Sequence, residues 1–203
     1  MTSVAVLDYG MGNLHSVSRA LEKVGAAVEV TADGDVARRA DALVVPGVGH
    51  FGACMRALAS RGLDDVVRRA ASSGTPLLGV CLGMQVLFER SEEDDTDGLG
   101  VLPGGSRTLP GDVKVPHMGW NDVEWVRPHP YVAQLPSGTR FYFVHSYAPD
   151  VIDRITLGAT EYGRRFSAVV ARDNVFATQF HPEKSGDAGL QLYETFVKEA
   201  GSL

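Results

Sequence analysis

The sequence has 203 residues, 44% apolar and 22% charged, enough to bury the core of one soluble domain spanning 1–203. Its formal net charge of −6 argues against nucleic acid and anionic membranes as partners, since both require basic surface. No apolar run approaches the roughly 20 residues that cross a bilayer.

The N-terminus lacks the basic start and cleavage site of a signal peptide and reads instead as a first strand, VAVLD at 4–8. Asn13 is a candidate cap for a helix presenting Leu14, Val17, Leu21 and Val24 on one face, with Gly25 as its stop. VEV (28–30) and ALVVPG (42–47) are further strands, the latter running into a glycine-rich turn. Helices are expected near 51–59 and 63–72. PLLGV (76–80) is a fourth strand and MQVLFER (84–90) a helix. Strands alternating with helices imply a parallel sheet with right-handed crossovers, whose sites form at the carboxyl ends of the strands.

The second half changes character. The acidic stretch 91–98 reads as a solvated loop. Beyond it, 121–126, 140–147 and 155–162 read as antiparallel strands, and SAVVA and VFATQF flank a hairpin turn at 172–174. A helix over about 187–200 closes the chain. The expected fold is α/β, a mostly parallel central sheet flanked by helices with an antiparallel extension, as in flavodoxin-like proteins. With two cysteines, Cys54 and Cys81, no disulfide framework is expected, and a reducing cytoplasm is the simplest location.

The chemistry concentrates at Gly79-Val80-Cys81-Leu82-Gly83. An apolar strand ends and a helix begins at a cysteine flanked two residues away on each side by glycine, the thiol version of a nucleophile elbow. A tight strand-to-helix turn lifts the sulfur above the sheet edge. A helix N-terminus beneath it favours thiolate, and the Leu82 N–H can point at a developing oxyanion. Cys54, beside Ala53 and Met55, has the setting of a packing residue.

A thiol nucleophile needs an imidazole base and a group that fixes its tautomer. His181 follows the strand VFATQF, Pro182 biases it to extended geometry, and Glu183 lies two residues on, on the same side of an extended segment. None of His15, His50, His117, His129 and His145 has a carboxylate at that spacing; His50 and His145 remain candidates to line the site. No His or Cys cluster has metal-ligand spacing. The turn Pro46-Gly47-Val48-Gly49 follows the third strand, at the same sheet edge as Cys81. It is a candidate second oxyanion donor, an ordinary tight turn being the alternative.

Taken together, PGVG at 46–49, GVCLGMQ at 79–85 and HPEKS at 181–185 resemble the class I (triad) glutamine amidotransferases. DYGMGN (8–13), PGVGHFG (46–52), PHMGWN (116–121) and FVHSY (143–147) resemble, within them, the glutaminase subunits of imidazole glycerol phosphate synthases. The resemblance implies Cys81, His181 and Glu183 as catalytic residues. It implies an oxyanion hole from the Leu82 N–H with Val48 or Gly49, and glutamine contacts from Gly47, Gln85, His145, Ser146 and Tyr147. It implies a partner, a (β/α)₈-barrel cyclase subunit forming a heterodimer, with Met118, Trp120, Tyr142 and Lys184 near the interface. It further implies that the PGVG loop can hold its donor peptide turned away until the partner binds. No metal and no cofactor are expected.

Glutaminase subunits for anthranilate, aminodeoxychorismate, purine or pyridoxal phosphate synthesis would share the elbow and the histidine–glutamate pair, and the partner would tell them apart. A redox-sensing protein with an elbow cysteine is the reading from another class, but such a protein would need neither the H-P-E strand end nor the early PGVG loop.

Overall fold

The period-two pattern of the first strands decides the layering. The computed structural model describes residues 1–202; Leu203, the last residue of the expected domain, lies outside them. In β1 (Ser3–Leu7), Val4 and Val6 enter one apolar core and Ala5 and Leu7 another. A strand buried on both faces belongs in the middle of a three-layer α/β structure. The first half continues with α1 (Leu14–Lys23), β2 (Ala27–Thr31), α2 (Gly34–Arg39), β3 (Ala42–Gly47), α3 (Phe51–Ser60), α4 (Leu63–Ser73), β4 (Leu77–Cys81) and α5 (Leu82–Gln85). The second half contains β5 (Arg90–Ser91), β6 (Thr96–Asp97), β7 (Gly105–Thr108), β8 (His117–Trp125), β9 (Thr139–His145), β10 (Tyr147–Pro149), β11 (Thr156–Tyr162), β12 (Arg164–Arg172), β13 (Val175–Thr178) and α6 (Gly186–Ala200).

The main sheet has nine strands in the order β2-β1-β3-β4-β13-β12-β11-β8-β9. From β2 to β13 the pairings are parallel; beyond β13 they are antiparallel. This is the expected parallel sheet with an antiparallel extension. Helices α1 and α6 cover one face, their Val17, Leu21, Leu192 and Phe196 packing in the core that holds Val4 and Val6. Helices α3 and α4 cover the other with Phe51, Leu58, Leu63 and Val67.

Several local expectations need correction. The helix expected over 84–90 is only the single turn Leu82–Gln85. The carbonyls that would continue it are taken by a distant segment: Val86, Leu87, Phe88 and Glu89 accept from Leu99, Leu102, Gly100 and Gly98. Asn13 precedes α1, but its side chain makes no capping bond. Helix α2 was not expected; Asp33 caps it by accepting from the N–H groups of Asp35 and Val36. The strand expected over 140–147 is broken at Ser146: His145 still pairs with His117, whereas Tyr147 pairs with Thr108 in a second sheet ordered β10-β7-β5-β6. That small sheet had no sequence signal, because its strands are two to four residues long.

Candidate active site

Cys81 ends β4 and opens α5 with φ +56° and ψ −112°. An L-residue with positive φ is strained and persists only where its surroundings enforce it. Here the enforcement is close packing of α5 on β3. A Cβ on Gly83 would fall on the Val45 carbonyl oxygen, and a Cβ on Gly47 would lie 2.5 Å from the Gly83 nitrogen. The two glycines let the turn settle onto its neighbour, and in the sheet register Gly47 stands directly beside Cys81.

His181 arrives from the adjacent strand, three residues past the end of β13. Its N–H donates to the Tyr142 carbonyl at 3.0 Å, and its own carbonyl accepts the Ser185 hydroxyl at 2.7 Å. The Ser185 oxygen also accepts from the Tyr142 N–H. The HPEKS turn is thereby fastened to β9. Residues 182–184 form one turn of 3₁₀ helix rather than the extended segment expected. The tight turn still brings Glu183 back, and its Oε1 lies 2.8 Å from His181 Nδ1 with both side chains buried. His181 Nε2, with no protein hydrogen-bond partner, sits beside the Cys81 thiol. Burial alone would depress the imidazole's pKa, but the sulfur and the carboxylate outweigh it and raise the pKa to about 10. The ring is thus an imidazolium at neutral pH, the charge partner a thiolate needs.

Cys81, His181, Val48, Gly49, Leu82, Gln85, His145, Ser146 and Tyr147 line one cleft of about 260 Å³. All the expected oxyanion and glutamine contacts are therefore gathered there, Gly47 lying just beneath as the register partner of Cys81. Gln85 donates its Nε2 to the Tyr147 carbonyl at 2.8 Å and to Gln179 Oε1 at 3.0 Å. His145 is buried and fixed by two contacts, Nδ1 to the Tyr147 carbonyl at 2.9 Å and Nε2 to His117 Nδ1 at 3.0 Å. Burial pulls His145 down to about 3, with the neighbouring His117 adding to the effect, and burial pulls His117 down to about 4. Both rings are neutral at physiological pH.

Met118, Trp120, Tyr142 and Lys184 lie outside the cleft and form a patch of their own. Met118 and Trp120 are 63% and 48% exposed, the Trp120 and Tyr142 rings meet edge-on, and Lys184 Nζ stands 5.9 Å over the Tyr142 ring. His50, a candidate to line the site, is not among the residues of the cleft; its Nε2 lies 3.3 Å from Asp94 Oδ2. Cys54 is a packing residue: it is buried, its thiol donates to the Tyr9 hydroxyl at 3.4 Å, and burial pushes it up to about 12.

Three residues of the site were not anticipated. Glu93 belongs to the stretch read as a solvated loop, yet it lines the cleft and accepts the Phe51 N–H at 2.7 Å. Gln179 is fully buried, with its Nε2 3.8 Å from Cys81 Sγ. Tyr193 of α6 buries its hydroxyl against Glu183, and burial followed by that carboxylate raises its pKa well above the usual value. Only Gln179 had a sequence signal, a polar side chain within an otherwise apolar strand end.

The sequence profile of the family "Glutamine amidotransferase class-I" matches residues 5–200. The chain belongs to this family. Among the family's members, proteins named imidazole glycerol phosphate synthase subunit HisH are similar along their whole length. That of Aromatoleum aromaticum is 49% identical over 98% of this chain and 100% of its own. That of Moorella thermoacetica is 46% identical over 100% of this chain and 99% of its own, and that of Nitrosomonas europaea 49% over 98% and 99%. In fold, this amidotransferase is similar to a crystal structure described as a glutamine amidotransferase, with a TM-score of 0.77 at 22% identity over 98% of both chains. No helix among the described residues is long and apolar enough to cross a membrane.

Proposed function

We propose that this chain is the glutaminase subunit of an imidazole glycerol phosphate synthase, working through a Cys81–His181–Glu183 triad. The observation that carries the reading is the meeting of Cys81 and His181 in one cleft, with the buried Glu183 carboxylate 2.8 Å behind the His181 ring, in a chain 46–49% identical to subunits of that name. The Cys81 sulfur attacks the side-chain amide carbon of glutamine. The oxyanion that forms is held by the Leu82 N–H and a second N–H from Val48 or Gly49. As the C–N bond breaks, His181 gives its proton to the nitrogen and ammonia leaves, with a glutamyl thioester remaining on sulfur. Water, deprotonated by His181, attacks the thioester, and glutamate departs as the thiolate is restored. Glu183 holds the His181 tautomer and carries no proton itself.

Gly47, Gln85 and the 145–147 backbone position the substrate, and Glu93 offers a carboxylate to its ammonium group. The ammonia passes to a (β/α)₈-barrel cyclase subunit, which uses it to make imidazole glycerol phosphate and aminoimidazole carboxamide ribonucleotide. Exposed apolar residues around the cleft, Val48, Val115, Met118 and Trp120, support a partner seated there. One nine-stranded sheet running through both halves of the chain supports reading 1–203 as a single amidotransferase domain; we place its action in the cytoplasm.

Glutamate release from glutamine tests this with the chain alone, with the cyclase, and with the cyclase plus its nucleotide ligand. Completion of the oxyanion hole by the partner raises turnover about 10²–10³-fold. Cys81→Ala abolishes release in all three conditions. Release by that variant would remove Cys81 from its role, and full turnover by the isolated chain would remove the gated oxyanion hole.

A further inference from the structure

A main-chain carbonyl fixes the orientation of two buried carboxamides beside the sulfur. The Tyr147 carbonyl can only accept, so the Gln85 atom 2.8 Å from it is the Nε2 donor. The same Nε2 lies 3.0 Å from Gln179, so the Gln179 atom facing it is the Oε1 acceptor. Gln179 Nε2 is then left on the remaining side, 3.8 Å from Cys81 Sγ. Gln179 is fully buried and Gln85 is 4% exposed, so water does not compete for these bonds.

We infer that Gln179 is a further functional residue of the glutaminase reaction: its amide N–H donates to the Cys81 sulfur while its carbonyl holds Gln85 with Oε1 turned toward substrate. Both Gln85 N–H bonds are directed away, one to Tyr147 and one to Gln179. The cleft therefore meets the Gln85 carbonyl, an acceptor suited to the N–H groups of glutamine. The donor at sulfur favours the thiolate over the thiol, because a hydrogen bond to a charged acceptor is stronger than one to a neutral acceptor. The imidazolium of His181 and the amide of Gln179 thus support the sulfur from two sides.

The role rests on the glutaminase reading, but its test does not. Gln179→Glu keeps an acceptor for Gln85 and replaces the N–H donor with a carboxylate. Gln179→Leu removes both. The rate of Cys81 alkylation by iodoacetamide is followed against pH in the full chain. In both variants the midpoint moves upward by about one unit and the rate near neutrality falls about tenfold, as expected for the loss of one charge-assisted bond. In the complex with the barrel cyclase, kcat for glutamine hydrolysis falls 10- to 100-fold in both variants, and KM rises more than threefold only in Gln179→Leu. Alkylation profiles of both variants superimposed on the unsubstituted chain would overturn the proposal, whatever happens to turnover, because a packing role alone would leave the sulfur's titration unchanged. A normal Cys81 alkylation profile without ammonia release from glutamine in the unsubstituted complex would instead overturn the glutaminase reading.

Discussion

Glu183→Gln separates the charge of the carboxylate from its shape. The replacement fits the same buried space, and its carbonyl can still accept from His181 Nδ1 across the 2.8 Å contact, so the tautomer persists. What disappears is the negative charge behind the imidazolium. A hydrogen bond to an ionised partner contributes about 1.5–3 kcal/mol against 0.5–1.5 for a neutral one. The Coulomb attraction at about 4 Å with an effective dielectric constant near 20 is about 4 kcal/mol. The loss therefore lies between about 1 and 4 kcal/mol, and glutaminase kcat in the complex falls about 5- to 10³-fold. Titration supplies a second readout. His181 has its folded pKa raised from 6.5 to about 10, so its stabilising contribution is fully present below about pH 6.5 and lost as pH rises through 10. Glu183→Gln removes one of the contacts that raise it. Urea unfolding of both proteins across pH 6–10 should show the unsubstituted chain's relative stability greatest at the acid end and shrinking toward pH 10. A kcat within threefold of the parent, or a relative stability that grows toward pH 10, would refute the assignment of Glu183 as the charge partner.

Gly83→Ala drives a methyl group into the Val45 carbonyl and destabilises the chain by about 1–3 kcal/mol, read from its urea midpoint. Glu93→Gln removes the carboxylate proposed to meet the substrate ammonium; KM for glutamine rises about tenfold while kcat stays within threefold, measured by steady-state titration of the complex. Trp120→Ala removes an exposed aromatic of the proposed docking face and raises the Kd for the barrel cyclase at least tenfold by calorimetry.

The first half of the molecule was legible because its inner strands β1, β3 and β4 are buried on both faces and its helices carry a clear apolar stripe. Periodicity found β1, β3, β4, α1, α3 and α4 close to their observed limits. The elbow was legible for the same reason: a strand, a cysteine between glycines and a helix start fall in immediate succession. What could not be read depends on partners distant in the chain. Nothing local to 84–90 announces that residues 98–102 will take its carbonyls and end the helix after one turn. Nothing in the acidic run announces that Glu93 accepts the Phe51 N–H at the head of α3. The 3₁₀ turn at Glu183 was missed because the i, i+2 argument reaches the same contact through a different backbone.

The hairpin β8–β9 joins the cleft to the proposed docking face through simple alternation. His117 and Asn121 of β8 and Phe141, Phe143 and His145 of β9 share one side, with His117 and the β9 residues buried. Met118 and Trp120, paired with Val144 and Tyr142, share the other. On the inner side the bonds form a continuous chain with fixed polarity. The Tyr147 carbonyl accepts from His145 Nδ1, His145 Nε2 therefore accepts from His117 Nδ1, and His117 Nε2 accepts from Asn121 Nδ2 at 3.3 Å. The same Tyr147 carbonyl orients Gln85. A partner resting on Met118 and Trp120 would thus press on the strand whose opposite side orients the glutamine pocket. Because burial holds both histidines neutral, at about 4 and about 3, this coupling is insensitive to pH across the physiological range.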